Sequence, residues 1–256
     1  MKQILSFIKT YVILVILFVA QKPLFLLLEK SSTAPQTINI WDYMPQVIWH
    51  GLSLDLGIAG YLSVIPGLLL LVSIWIRKKL VYPILNIYFG IVAFMGAFLF
   101  VLNLGLYPYW NFPLDSTPLF YFFTSPKDAL ASVSFLYIFL AFLAILISAI
   151  GVWFILRVTI KKKTYRSRYT GYGFGDCRGG RRSSYDSDIE RHRLRSSLIL
   201  LVLTALLFLP IRGGVTVSTN NTGKAYFCQD AFLNHAAVNP MFSLFESLSH
   251  QEDFAA

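Results

Sequence analysis

Residues 80–114 read LVYPILNIYFGIVAFMGAFLFVLNLGLYPYWNFPL, a run of thirty-five positions without an Asp, Glu, Lys or Arg. A helix needs about 20 mostly apolar residues to cross the hydrocarbon core of a bilayer, so the run holds one span and more. Its remainder, LYPYWNFPLDSTP from Leu106, reads as a loop of prolines and aromatics that ends in charge at Asp115. The rest of the chain follows suit. Charge-free runs also cover 56–76, 129–156 and 196–211, and the run over 5–28 is broken only by Lys9 and Lys22. With 56% hydrophobic and 14% charged residues, against about 25% charged in a soluble domain, the composition belongs in lipid.

The expectation is an all-α integral membrane protein with five transmembrane helices, at about 5–28, 54–76, 81–106, 131–158 and 196–212. The last is short: its charge-free run rises about 24 Å as a helix, so Arg195 and Arg212 bracket it and snorkel toward the headgroups. The first reads as an uncleaved anchor, because FVAQKPLFLLLEK returns at once to leucines without a small-x-small cleavage site. Residues 1–213 then form the membrane domain and 214–256 an extracytoplasmic linker.

Orientation follows from the basic residues, which stay in short cytoplasmic loops. With the N-terminus inside and the C-terminus outside, seventeen of the 22 Lys and Arg fall inside with only four of the 13 acids. The net charge of +9 therefore reports topology and attraction to anionic lipid and calls for no nucleic acid partner. Twelve of those basic residues lie from Arg157 to Arg195, around a cytoplasmic loop over 160–195 that shows no apolar period. Its GYGFGDCRGG lacks the strand and helix that would make a phosphate-cradling loop. The two cysteines, Cys177 and Cys228, sit on opposite sides of the membrane and suggest neither a disulfide nor a metal site.

The most polar cluster near a span start is WHGLSLDL, residues 49–56. An ionisable group entering the membrane is a functional hypothesis by default. Lys22, His50, Asp55 and Arg212 are accordingly the lipid-headgroup candidates, with simple structural placement as the alternative. His50 and Asp55 lie about 140° apart around a helix, so they form no same-face dyad. In the fourth span Ala141, Ala144, Ser148 and Gly151 make a stripe of small residues, which favours close packing of another helix in the same chain or, as the alternative, a homo-oligomer face. Asn86 and Asn103 are expected to bond between helices. No catalytic motif or metal-ligand spacing is present.

The end of the chain carries its own pattern. Asn239 followed by Pro240 is a helix start, after which Met241, Leu244, Phe245 and Leu248 recur at helical spacing, with Phe242 widening the face. Phe232, Leu233 and Ala236 share a face just before it. Two short amphipathic helices hinged at VNP are predicted, lying on the outer membrane surface or docked on the bundle.

Together the five-span plan, WHGLSLDL, PIRGG at the end of span five, and FLNHAAVNPMFSLFESL followed by QEDFA resemble the membrane half of lipoteichoic-acid-synthase-like phosphoglycerol transferases, in the branch found in Bacteroidetes. The NHAAVNP block is the most specific part of the resemblance, which covers essentially the whole chain. It implies a multi-pass protein of the bacterial inner (cytoplasmic) membrane that anchors a sulfatase-like transferase and presents membrane phospholipid to it. In that family a threonine nucleophile and a divalent metal such as manganese belong to an extracytoplasmic catalytic domain opening on a segment of the type PNVVLIILES. No such segment occurs here, and Thr216, Thr219 and Thr222 match no nucleophile motif. The expectation is therefore a membrane anchor truncated before its catalytic domain, with no catalytic residue and no cofactor in this chain. The competing expectation is a self-contained five-span scaffold, regulator or transporter subunit.

Overall fold

The computed structural model describes residues 2–30, 39–76, 78–125, 134–160, 180–215 and 218–251. Cys177, Thr216, the GYGFGDCRGG stretch apart from Gly180, and the QEDFA end apart from Gln251 lie outside the described residues. Every regular element among those described is helical. In chain order these are α1 (Lys2–Glu29), α2 (Ile40–Trp75), α3 (Lys78–Trp110), α4 (Thr117–Thr124), α5 (Phe135–Thr159), α6 (Gly180–Leu206) and α7 (Phe208–Arg212). A 3-10 turn (Thr222–Ala225), α8 (Ala231–Ala237) and α9 (Pro240–Gln251) follow. Five helical segments are long and apolar enough to cross a membrane: α1, α2, α3 from Leu80, α5, and the pair α6 and α7 from Arg191.

Three boundaries differ from the sequence reading. The second span, expected from about 54, belongs to a helix that begins already at Ile40, and α2 runs through Pro45 and Pro66 for 36 residues. Ile40, Val47 and Leu54, seven apart, are all buried, so the extra turns are held by one apolar seam. At about 1.5 Å per residue α2 rises about 54 Å, well beyond an apolar core of about 30 Å. α3 likewise continues past Leu106 to Trp110 and stops where Asn111 takes a left-handed φ of 50°, a conformation that Asn tolerates better than most residues. Finally, the helix feeding the last span begins at Gly180, inside the stretch expected to be an aperiodic basic loop.

α1 packs along α2, α3 along α5, and α6 with α7 against α2. Lipid offers helices no hydrophobic reason to associate, so packing and interhelical hydrogen bonds must do it. Such bonds recur here. Thr10 and Thr159 share one at 3.1 Å between α1 and α5. Tyr88 donates to the Leu62 carbonyl at 2.8 Å, and Trp75 Nε1 to Ser197 Oγ at 3.0 Å. Trp153 Nε1 reaches the Asn86 carbonyl at 3.3 Å, whereas the Asn86 side-chain oxygen is buried with no hydrogen-bond partner. Asn103 does not bridge helices: its Oδ1 accepts from Leu114 N at 3.0 Å and closes the turn after α3.

The small-residue stripe that matters lies on α2 rather than α5. A Cβ at Gly57 would meet Asn220 Nδ2 at 2.8 Å, one at Gly60 would meet Ile211 Cγ1 at 2.9 Å, and one at Gly67 would meet Thr204 Oγ1 at 2.6 Å. These glycines let the final span close on α2. On α5, Ala141 and Ser148 are half-buried, but Ala144 and Gly151 are exposed, and a Cβ at Gly151 would find nothing within 4 Å. That helix meets α3 through bulkier residues such as Trp153.

α8 and α9 do not lie loose. Phe232, Leu233, Ala236, Val238 and Phe242 join Phe25, Leu26, Val47, Leu54, Phe100 and Tyr107 in one buried cluster. The two short helices thus plug the end of the bundle where α1 and α3 finish and α2 begins. Phe245 and Leu248 remain 40% and 39% exposed, so the buried face of α9 is narrower than its apolar spacing suggests.

Candidate functional site

The polar centre of the molecule lies under that plug. Lys22, late in α1, forms an ion pair with Asp55 Oδ2 on α2; both are buried, at 3% and 0% exposure. The other carboxylate oxygen, Oδ1, accepts from Asn239 Nδ2 at 2.9 Å. Asn239 is itself 1% exposed, and its Oδ1 accepts from Met241 N at 3.0 Å and Phe242 N at 3.2 Å, capping α9. One asparagine therefore starts the last helix with one end of its amide and reads the buried carboxylate with the other.

Local sequence explains why these groups meet. Gly51, one turn before Asp55, has no side chain, and a Cβ there would collide with the Ala237 carbonyl and with Lys22 Cε. The glycine opens the gap through which the lysine stem and the end of α8 both reach α2. Asp230 caps α8 by accepting from Leu233 N at 3.0 Å, and Asn234 holds the preceding turn through Phe227 N at 2.9 Å and the Cys228 carbonyl at 2.7 Å. The FLNHAAVNP segment is thus fixed internally as well as against the bundle.

A second stitch lies two residues from the first. Ser53 Oγ donates to Asn220 Oδ1 at 2.7 Å, and Asn220 Nδ2 donates to the Pro210 and Ile211 carbonyls at 3.0 and 3.3 Å. Those carbonyls lie in the last turn of the final span, where no further helical turn follows; the Pro210 carbonyl also accepts from Gly213 N at 3.2 Å. Gly213 and Gly214, at φ 92° and 107°, turn the chain away there with two backbone bonds to the Leu209 carbonyl. That is the structural content of PIRGG.

Of the four headgroup candidates, Lys22 and Asp55 come together, but as a buried pair with each other rather than as groups offered to lipid. His50 is exposed and stacks on Phe227 at 4.9 Å, 11° from parallel, away from Asp55. Arg212 is exposed at the end of α7, and its carbonyl accepts from Asn220 N at 2.8 Å. Sequence reasoning missed Asn239 as the partner of Asp55, and Gly51, Ser53 and Asn220 altogether. Asn239 stood out only as a helix start, and nothing in the spacing links it to a residue so far upstream.

Beside the pair is a cavity of about 10 Å³, room for a single water, bordered by Gln21, Lys22, Asn103, His235 and Asn239. His235 Nδ1 and the Tyr107 hydroxyl share a hydrogen bond at 3.1 Å. Burial lowers the His235 pKa, an effect partly opposed by the Asp230 carboxylate. Among the described residues no three His, Cys, Asp or Glu side chains gather as a metal site requires. What the arrangement does is mechanical: it locks a terminal helix pair to two apolar helices through a desolvated charge.

Comparison with known protein families, with curated proteins and with solved structures returned no match to this chain.

Proposed function

We propose that this chain is the membrane anchor, and the lipid-presenting part, of a phosphoglycerol or phosphoethanolamine transferase of the sulfatase-like family in the bacterial inner membrane, working on cell-envelope polymers or lipids. The observation that carries the reading is the Asn239 to Asp55 contact. The NHAAVNP block, the most specific element of the resemblance, is the piece of chain that closes on the intramembrane ion pair. An anchor for a catalytic domain needs a rigid exit, and α8 and α9 are held by a cap, a buried charge and a shared apolar cluster. In this reading the catalytic threonine and metal belong to the extracytoplasmic domain, and the five spans hold that domain at the headgroup level.

The DNA that follows codon 256 tests it. We expect a segment of the PNVVLIILES type, in frame or after a frameshift, and we expect its whole gene product to release glycerol phosphate from phosphatidylglycerol in a metal-dependent way, while residues 1–256 alone release none. Absence of any such segment downstream, or turnover by the purified 256-residue chain with contaminants controlled for, would overturn the assignment.

A further inference from the structure

A groove of about 350 Å³ opens between α2, α7, the segment at 219–220 and α9, lined by Tyr61, Phe208, Ile211, Arg212, Thr219 and Phe242 among others. Its volume falls at the lower end of the range of small-molecule sites. One end is polar. Arg212 is the last residue of the fifth apolar helix, and no carboxylate among the described residues lies within 4 Å of its guanidinium. Two acids on the helices that flank the groove are engaged elsewhere: Asp55 of α2 with Lys22 and Asn239, and Glu246 of α9 with the Thr222 amide at 3.0 Å. Thr219 adds a hydroxyl at the same rim.

The other end is apolar. Phe208 stands one turn before Arg212, so both project from the same side of the helix, and it is 60% exposed; Tyr61 on α2 is 55% exposed. Gly60 admits Ile211 closely and so sets the depth of the groove between these two rings. A cation at a span terminus with an apolar trough running back along the span has the shape of a lipid. Arginine suits a phosphodiester because its planar fork can grip two oxygens at once.

We propose that this groove seats an anionic glycerophospholipid, its phosphate on Arg212 and Thr219 and one acyl chain along Phe208 and Tyr61. The inference deepens the lipid-presenting part of the function above. It rests on the chain spanning a membrane and does not need the transferase assignment.

The probe is phosphatidylglycerol carrying a photoactivatable acyl chain, incorporated into nanodiscs with the full chain, together with native mass spectrometry of retained lipid. In the unaltered protein, crosslinks are expected at Tyr61 or Phe208, and retained phosphatidylglycerol should fall about tenfold in Arg212→Ala, the scale of one lost charge-assisted contact. Arg212→Lys should lose less, and Lys9→Ala, an exposed cation at the far end of α1, should lose nothing. Equal retention in Arg212→Ala and Lys9→Ala, with both proteins monodisperse, would overturn the site. So would inorganic phosphate that displaces the lipid headgroup at low concentration with crosslinks scattered away from the groove, since that describes a small-anion site. If Arg212→Ala fails to fold, the crosslink positions in the unaltered protein decide the matter alone. Equal lipid retention in the two variants with turnover intact in the whole gene product would strike this inference only; a missing catalytic segment downstream would strike the transferase assignment and leave the groove standing.

Discussion

Asn239 Nδ2 donates to Asp55 Oδ1 at 2.9 Å, joining residues 184 positions apart in the chain. The contact makes the end of the chain and the first two apolar helices one mechanical unit. Asp55 uses both oxygens, one for Lys22 and one for Asn239, so neither the ion pair nor the docking of α9 is independent of the other.

The ion pair should behave as a buried one. Removing a single partner strands the other charge, at a cost of about 3–5 kcal/mol, whereas replacing both with apolar residues is often near neutral. Lys22→Met and Asp55→Leu should each lower the melting temperature in detergent sharply, and the double variant should recover most of the loss. Recovery should stay incomplete, because the Asn239 amide is then left without its acceptor. A single variant that melts like the unaltered protein would show the pair to be dispensable.

Asn239 divides into two separable roles. Asn239→Ser keeps a capping oxygen but cannot reach Asp55, whereas Asn239→Ala loses both. The cap alone is worth about 1 kcal/mol, and a hydrogen bond to a charged group about 1.5–3 kcal/mol. Hydrogen exchange over 240–251 should therefore speed up strongly in both variants, with Asn239→Ala only modestly faster than Asn239→Ser. Near-native protection in Asn239→Ser would mean that the cap, and not the carboxylate, holds α9.

Two glycines offer a contrast. Gly51→Ala forces a methyl into the Ala237 carbonyl and the Lys22 stem, while Gly151→Ala adds one where nothing lies within 4 Å. The first should loosen α8 and weaken the ion pair; the second should leave melting unchanged or raise it slightly, since alanine is the better helix former by about 1 kcal/mol. Limited proteolysis near 226–238 should separate the two variants. Equal resistance would refute the close-packed role of Gly51.

The five apolar helices were legible from charge-free runs, because the need for about 20 apolar residues per span is a property of the bilayer and leaves a plain mark. Their ends were less so. The start of α2 at Ile40, well before the expected 54, was hidden because Pro45 and a cluster of aromatics masked the seven-residue seam of Ile40, Val47 and Leu54. The small residues on α5 met the spacing rule for packing, yet spacing does not say which face meets a neighbour, and Gly151 faces outward. Asp55 was singled out for its charge at a span start, and the structure gives it two side-chain partners within the chain, Lys22 and Asn239. Its partners were not legible, since a side-chain contact across 184 positions leaves no periodicity to read.

His235 should make docking of the terminal helices sensitive to acid. Its pKa is lowered from the ordinary 6.5, mainly by burial, because the docked state places the ring against Tyr107, Phe112 and Tyr226. The Asp230 carboxylate opposes the shift without cancelling it. With a folded value below the unfolded one, the undocked state binds more protons, so stability rises with pH. The contribution is fully present above 6.5 and is lost as pH falls below 6.5 and through the lowered folded value. Exchange over 231–251, corrected for its intrinsic pH dependence, should therefore be faster at about pH 5 than at about pH 8. His235→Gln is the control: it removes the charge change at this position and should flatten the profile. A profile as steep in His235→Gln as in the unaltered chain would place the acid-sensitive group elsewhere.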